Sequence, residues 1–378
     1  MASIDRLKDG KYRARYRDPA GGSRSKTFIR KADASAFLAS MDVKKRHGDW
    51  VPPELARVRF GDWAARWSSD QHHLTPATRA RYDSLLRTQI LPTWEAVRLD
   101  AIGYADTVSW VSGLTASGLS PSSVRQAHRV FSRILDLAVR DGRLSRNSAE
   151  GTPLPRVHKS AKRFLSHDQV HSLATACGPY RPLVLTLAYC GLRWGEAAAL
   201  QVRDIDLMNR RLSVSRSVTE VSGVLVSGET KTHQRRSVPF PNFLREELMA
   251  VVAGRDAEAY VFASPVGGAL RNNNFRHRCF DAAAAATGLA GLTPHELRHT
   301  AASLAVSSGA NVKAVQRMLG HASAAMTLDV YAGLFADDLD SVAERLDEAA
   351  QRATVSRLCR EDVTTVVSLH AVNDSQAV

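Results

Sequence analysis

Between Thr293 and Tyr331 the chain reads TPHELRHTAASLAVSSGANVKAVQRMLGHASAAMTLDVY, and this stretch gathers side chains suited to chemistry. Imidazoles move protons near neutral pH, a guanidinium fork holds an anion, and a phenol is a nucleophile once it loses its proton. Thr293, Pro294 and Glu296 supply an N-cap, an N1 proline and a capping-box acceptor, so a helix starts here. It should run to about Ser307, with Gly309 as a left-handed stop. On it His295 and Arg298 stand three apart and project from one face. Asn311 caps a second short helix that ends at Gly320 and leaves His321 just beyond it. Ser323 opens a third turn or helix that carries Tyr331. Two histidines, an arginine and a tyrosine thus fall on the rims of short helices, where side chains can converge.

The same letters allow a second chemistry. His295-Glu296-Leu297-Arg298-His299 matches H-E-x-x-H, in which two histidines one turn apart bind zinc and the glutamate is the base of a peptidase. No third ligand follows at an obvious spacing, and Arg298 would oppose a dication. A zinc peptidase stays open as the alternative.

Taken in order, H-x-L-R-H, then L-G-H, then a tyrosine ten residues on resemble the tyrosine recombinase, or phage integrase, family. Upstream, Gly191-Leu192-Arg193-Trp194-Gly195-Glu196 matches that family's G-L-R-x-x-E, with Glu196 placed to hold Arg193. Lys231, in Glu229-Thr230-Lys231-Thr232, matches its hairpin lysine. The resemblance implies a catalytic set of Arg193, Lys231, His295, Arg298, His321 and Tyr331. Cutting a phosphodiester needs a nucleophile, charge on the non-bridging oxygens and a proton for the departing 5′-oxygen. Tyr331 would attack, although a free phenol titrates near about 10 and must lose its proton to a neighbour. Arg193 and Arg298 would clamp the phosphate and stabilise the transition state. Lys231 is the candidate acid, His295 the proton acceptor, and His321 a hydrogen-bond donor to the phosphate. His299 would orient the helix. The resemblance further implies a 3′-phosphotyrosyl intermediate and exchange through a Holliday junction, with no metal, nucleotide or other cofactor.

The chain has 378 residues, enough for two or three domains with separate cores, and a formal net charge of +13. Such a basic chain most often meets a polyanion. No run approaches eighteen apolar residues and no signal-peptide pattern opens the chain, so neither a membrane nor an export route is expected. Cys177, Cys190, Cys279 and Cys359 form no C-x-x-C pair and read as reduced thiols of a cytoplasmic, nucleoid-associated protein.

The remaining elements must position the chemistry. Residues 1–50 read as a small β-rich module. Lys11, Arg13, Arg15 and Arg17 alternate onto one strand face, with Tyr12, Ala14 and Tyr16 on the other. A turn at 18–22 and a return strand Ser23–Ile29 follow. A helix over 31–47 offers Phe37, Leu38 and Met41 to cover the apolar face. Four cations on one face favour a ribbon laid on DNA, and the module resembles the family's arm-binding domain, a three-stranded sheet with one helix. Residues 49–57, with Pro52 and Pro53, read as a linker. Residues 58–150 read as all-helical: Phe60–Trp67, Thr75–Ile90 stopping at Pro92, about Asp106–Ala116, and a fourth helix opened by Ser120 and Pro121. The buried stripe of that fourth helix is Val124, Ala127, Phe131, Leu135, Ala138 and Val139, and Gly142 stops it. Across residues 58–150, Arg79, Arg81 and Arg87, with Arg125, Arg129 and Arg133, are the exposed cations; by resemblance this is the core-binding bundle that grips the opposite side of the duplex.

Residues 150–162 form a basic, proline-containing hinge. Ser166 and Gln169 box the first helix of a catalytic domain expected over 163–355. Within it come a buried helix Pro182–Tyr189 ended by Gly191, strands Arg211–Val218, Gly223–Val226 and Arg236–Phe240, and an amphipathic helix over 337–353. Residues 356–378 form an unassigned tail. The expected fold is therefore multidomain and mainly α: a β-rich N-terminal module, a helical core-binding bundle, and a mixed α+β catalytic domain with a small antiparallel sheet. The expected activity is a site-specific DNA recombinase that integrates or excises a phage or mobile element. Its partners would be double-stranded attachment-site DNA, three further copies in a homotetramer, and an accessory DNA-bending or directionality factor. A resolvase-type recombinase and a DNA-binding protein that keeps the fold without cutting are the other readings.

Overall fold

The computed structural model describes residues 2–18, 21–46, 50–157, 162–229, 235–325, 327–328, 343–344, 346–348 and 350–351. The chain forms two compact units, residues 1–160 and 161–378, and the division falls inside the basic hinge.

The first unit opens with an antiparallel sheet of Ser3–Arg6, Tyr12–Arg17 and Ser23–Phe28, with the middle strand in the centre. The first of these strands had no signal of its own in the residues. Arg13 stands opposite Asp5 and Thr27, Arg15 opposite Ser3 and Ser25, and Arg17 opposite Ser23. The basic face is thus flanked by small hydroxyls and by Asp5. On the other face Ala14 and Tyr16 are buried under the Lys31–Arg46 helix. Phe37 of that helix meets Tyr16 edge-on at 5.6 Å and Phe28 at 5.2 Å. The expected linker contains a short helix, Pro53–Ala56. Arg24 fixes it, donating to Glu54 at 2.5 Å and to Asp18 at 2.9 Å and lying 5.6 Å from the Trp50 ring.

The helices Phe60–Ser69, Tyr104–Ala116 and Pro121–Arg140 then enclose an aromatic core. Phe131 packs on Phe60 at 5.2 Å, Trp94 at 5.0 Å and Trp110 at 4.9 Å. Full burial of one such side chain stabilises by roughly 1.5–3 kcal/mol, so the last helix is the bundle's spine. Val139 on it is only half-buried; Val130 and Ile134 complete the stripe instead. The expected stop at Pro92 is also corrected. The Pro76–Leu85 helix passes through a wide π turn, Leu86–Ile90, into Leu91–Trp94. That turn puts Pro92 in the first turn of the continuing helix, where a missing N–H leaves no broken bond.

In the second unit the Arg181–Cys190 and Pro294–Ser307 helices pack together at the centre, burying Val184, Leu187, Ala188, Leu297 and Ala301. Beside them lie a sheet in the order Ile205–Asp206, Arg211–Val214, Arg236–Pro239, and a separate hairpin of Arg216–Val221 with Val224–Glu229. The single strand expected over Arg211–Val218 is therefore two strands in two sheets. Leu212, Val214 and Val218 are all buried, so the alternation runs through the break in phase and conceals it. Ser222 and Gly223, both at positive φ (49° and 80°), make the tight hairpin turn. Of the helix expected over 337–353, residues 343–344, 346–348 and 350–351 are helical and the others lie outside the described residues, as does the tail. No helix among the described residues is long and apolar enough to cross a membrane.

Candidate active site

The site is built on three chain corners. The first follows the Arg181–Cys190 helix. Gly191 takes a left-handed φ of 64°, and a Cβ there would come within 2.6 Å of Leu319 and 3.3 Å of Ala301. Both conformation and space demand glycine. The turn delivers Arg193 in extended backbone at the start of the Trp194–Ala198 helix. Glu196, 1% exposed in its side chain, accepts the Arg193 amide at 2.9 Å and its guanidinium at 2.7 Å. The arginine expected to meet a phosphate is thus aimed by a buried carboxylate three residues on.

The second corner is the start of the Pro294–Ser307 helix. Glu296 accepts from the Thr293 amide at 2.8 Å and hydroxyl at 2.9 Å, and pairs with Arg163 at 3.5 Å. Arg298 is 3% exposed, with NH1 donating to the Gly191 carbonyl at 2.5 Å and NH2 to the Leu319 carbonyl at 2.6 Å. His295 is on the surface, and its ring meets that of His299 edge-on at 5.3 Å.

The third corner ends the Val312–Leu319 helix, which Asn311 caps and Gly320 closes at φ 66°. The last carbonyls of a helix lack internal partners and form the negative end of its dipole. Here three arginines from three segments serve consecutive carbonyls. Arg236 donates to Met318 at 3.1 Å, Arg298 to Leu319 at 2.6 Å and Arg193 to Gly320 at 3.4 Å. His321 follows, its amide bonded to the Gln316 carbonyl at 3.1 Å and its Nδ1 paired with the Thr327 hydroxyl at 3.0 Å.

Charge in this cluster is mostly positive: Arg193 and Arg236 hold the carboxylate of Glu196, and Arg298 acts with Arg193 on His295 and His321. Burial alone would raise the pKa of Glu196, but hydrogen bonds and charge from Arg236, then Arg193, outweigh it and hold the group at about 2. The imidazoles move the other way. Although its side chain reaches the surface, His295 is lowered first by partial desolvation and then by Arg298 and Arg193, and the same causes with His299 and Arg236 push His321 down to about 4. His299 falls to about 4 through burial, His295 and Lys162. The direction of these shifts favours neutral rings at pH 7 beside a cluster of arginines, a combination that suits an incoming phosphate and a proton acceptor.

Arg193, His295, Arg298 and His321 therefore lie within one electrostatic neighbourhood, whereas Lys231 and Tyr331 lie outside the described residues. Arg236 escaped the sequence reading. Its one signal there was a cation five residues after Lys231, on a short strand, which by itself reads as a solvated edge. In H-E-x-x-H, Glu296 is occupied as a cap and Arg163 partner, and among the described residues no group of three or more His, Cys, Asp or Glu could hold a metal ion. On the first unit, Arg15 pairs with Asp5 at 2.9 Å, Arg17 is exposed and Arg13 half-buried. Arg125 donates to the Pro155 carbonyl at 3.2 Å, and Arg129 is exposed on the same helix.

Comparison with known proteins gives a consistent result. The profile of the phage integrase family matches residues 163–337. A putative prophage phiRv2 integrase of Mycobacterium tuberculosis is 29% identical over 346 residues, spanning 86% of this chain and 89% of that protein. A tyrosine recombinase XerC of Chromohalobacter salexigens is 30% identical over 291 residues, spanning 74% of this chain and 92% of that one. Among solved structures, the Tn1549 transposon integrase in complex with a circular intermediate DNA superposes with a TM-score of 0.67 at 21% identity, covering 76% of this chain and 99% of the other.

Proposed function

The chain belongs to the phage integrase family of tyrosine recombinases, and from that premise we propose that Tyr331 cleaves DNA in the arginine-rich site just described. The protein is a site-specific DNA recombinase that cuts and rejoins strands to integrate mobile elements. The observation that carries the residue roles is the convergence of Arg193 and Arg298 on the helix end that leads into His321.

In this reading the Tyr331 oxygen attacks the scissile phosphorus, the bond to the 5′-oxygen breaks, and the enzyme becomes esterified to the 3′-phosphate. Arg193 and Arg298 stabilise the non-bridging oxygens with guanidiniums that are already fixed, so little reorganisation is needed during reaction. Neutral His295 takes the phenolic proton, and Lys231 supplies one to the 5′-oxygen. For His321 to donate from Nε2 to the phosphate, its Nδ1 must accept from the Thr327 hydroxyl, which the 3.0 Å contact permits. The ester retains the energy of the broken bond, so a 5′-hydroxyl from another strand can reverse the step without a cofactor.

The partner is double-stranded DNA. Exchange between two duplexes breaks four strands, and one Tyr331 per chain cuts one strand, which supports a homotetramer on DNA, acting in the cytoplasm on the nucleoid. We assign residues 1–50 to arm-site binding through Arg13, Arg15 and Arg17, residues 58–150 to core-site binding through Arg125 and Arg129, and residues 163–355 to catalysis. Control of direction would fall to an accessory DNA-bending factor. The test is a suicide substrate whose cleaved end cannot be rejoined. The protein should become covalently linked to it, and Tyr331→Phe, which removes only the nucleophilic oxygen, should bind DNA equally well and form no adduct. An adduct in that variant would move the nucleophile elsewhere.

A further inference from the structure

We propose that Arg236 is a positioning residue for strand cleavage, acting through Glu196 on Arg193; the inference rests on the reading of Arg193 as a phosphate ligand. Arg236 opens the Arg236–Pro239 strand and is 9% exposed in its side chain. Its NH1 and NH2 donate to the two carboxylate oxygens of Glu196 at 3.0 and 2.6 Å, a bidentate fork, and its Nε donates to the Met318 carbonyl at 3.1 Å. Each oxygen of Glu196 also accepts one bond from Arg193, at 2.7 and 2.9 Å. One carboxylate therefore couples a buried arginine to an arginine whose side chain is 25% exposed. The stem of Arg236 also lies against the turn before His321, since a Cβ on Gly320 would sit 3.0–3.1 Å from its Cδ, Nε and NH1.

The geometry separates this role from two others. Arg236 directs three of its five N–H donors at Glu196 and Met318, with only 9% of its side chain exposed, so its fork is turned to the carboxylate behind Arg193. A buried ion pair kept for stability alone can usually be replaced by apolar residues at little cost. Here the carboxylate has a second task. Without Arg236, Glu196 loses two of its charged hydrogen bonds and must either draw Arg193 inward or take up a proton. Both displace the fork that meets the phosphate, and a displacement near 1 Å can cost on the order of 100-fold in rate.

The test uses Arg236→Lys and Arg236→Gln, each alone and combined with Arg193→Lys. Single-turnover cleavage of a core-site suicide substrate is measured with DNA affinity and thermal midpoint on the same samples. Affinity should change by less than about threefold and both variants should fold. Cleavage should slow by about 10- to 100-fold, with lysine the milder change. The combined variants should be no slower than Arg193→Lys alone, because Arg236 works through Arg193. Three results would overturn the proposal. One is cleavage per folded, DNA-bound molecule close to that of the unsubstituted protein; another is a loss that multiplies with that of Arg193→Lys. The third is loss of the fold in both variants, which would make Arg236 a folding residue only. If the unsubstituted protein forms no adduct, the recombinase roles fall and this inference with them. Normal cleavage by the Arg236 variants defeats this inference alone.

Discussion

Arg298 reaches from the Pro294–Ser307 helix to Leu319, whose carbonyl accepts its NH2 at 2.6 Å, so the helix of H-x-L-R-H is fastened to the helix that ends before His321. A second bond, to the Gly191 carbonyl at 2.5 Å, fastens the Arg193 corner to the same side chain. A residue expected to serve the phosphate is therefore also the bolt that assembles the site.

That double duty predicts different outcomes for the two arginines. Arg298→Ala leaves two buried carbonyls without this donor, at about 1–3 kcal/mol each, and should lower the thermal midpoint while abolishing cleavage. Arg193→Ala should abolish cleavage with a far smaller change in midpoint, because Glu196 keeps Arg236. Equal midpoints for Arg298→Ala and the unsubstituted protein would show that those bonds carry no stability.

The lowered histidines predict a pH dependence with a definite sign. His295, His299 and His321 are harder to protonate folded than unfolded. Their contribution is thus complete above the ordinary histidine range, about 6.5, and is lost as pH falls from there towards about 4, the value for His299 and His321. Thermal midpoints of the DNA-free protein should fall over that window, and His321→Gln should shrink the fall. A flat profile in both proteins would contradict the partial burial of His299 and His321. Because DNA brings an anion to the rings, core-site binding should take up protons, which calorimetry in buffers of different ionisation enthalpy would detect.

Cleavage should survive EDTA, since every step above is assigned to a side chain. Tightly bound zinc at one equivalent per chain, with activity lost on its removal and restored by its return, would favour the H-E-x-x-H chemistry instead.

The basic strand face predicts a division of labour. A protein beginning at Val58 should still cleave a core-site suicide substrate but fail to integrate on a full attachment site, because bridging between arm and core DNA raises effective concentration only when both are held. Arg15→Glu should mimic the truncation and reduce the salt slope of arm-site binding by about one unit per lost phosphate contact. Its pairing with Asp5 is exposed on both sides, so the substitution should leave the sheet intact. Equal integration by the truncated and full-length proteins would remove the arm-binding assignment.

What the sequence determined by itself is local. Thr293 with Glu296, Ser166 with Gln169, Asn311 and Gly320 state where helices begin and end, because capping is an agreement between residues three or four apart. The order of Arg193, Arg298, His321 and Tyr331 named the chemistry for the same reason: a motif is read along the chain. Tertiary structure decided what depends on partners distant in sequence. The split at Ser215 was hidden because one alternation serves two sheets, and the passage through Pro92 because a π turn leaves no mark in hydrophobic spacing. The burial of Arg298 and the grip of Arg236 on Glu196 follow from contacts 107 and 40 residues apart. A cation on a strand edge has no sequence signature that says whether water or a buried carboxylate will face it; only the packing of the Arg236 strand against Glu196 and the end of the Val312–Leu319 helix settles that.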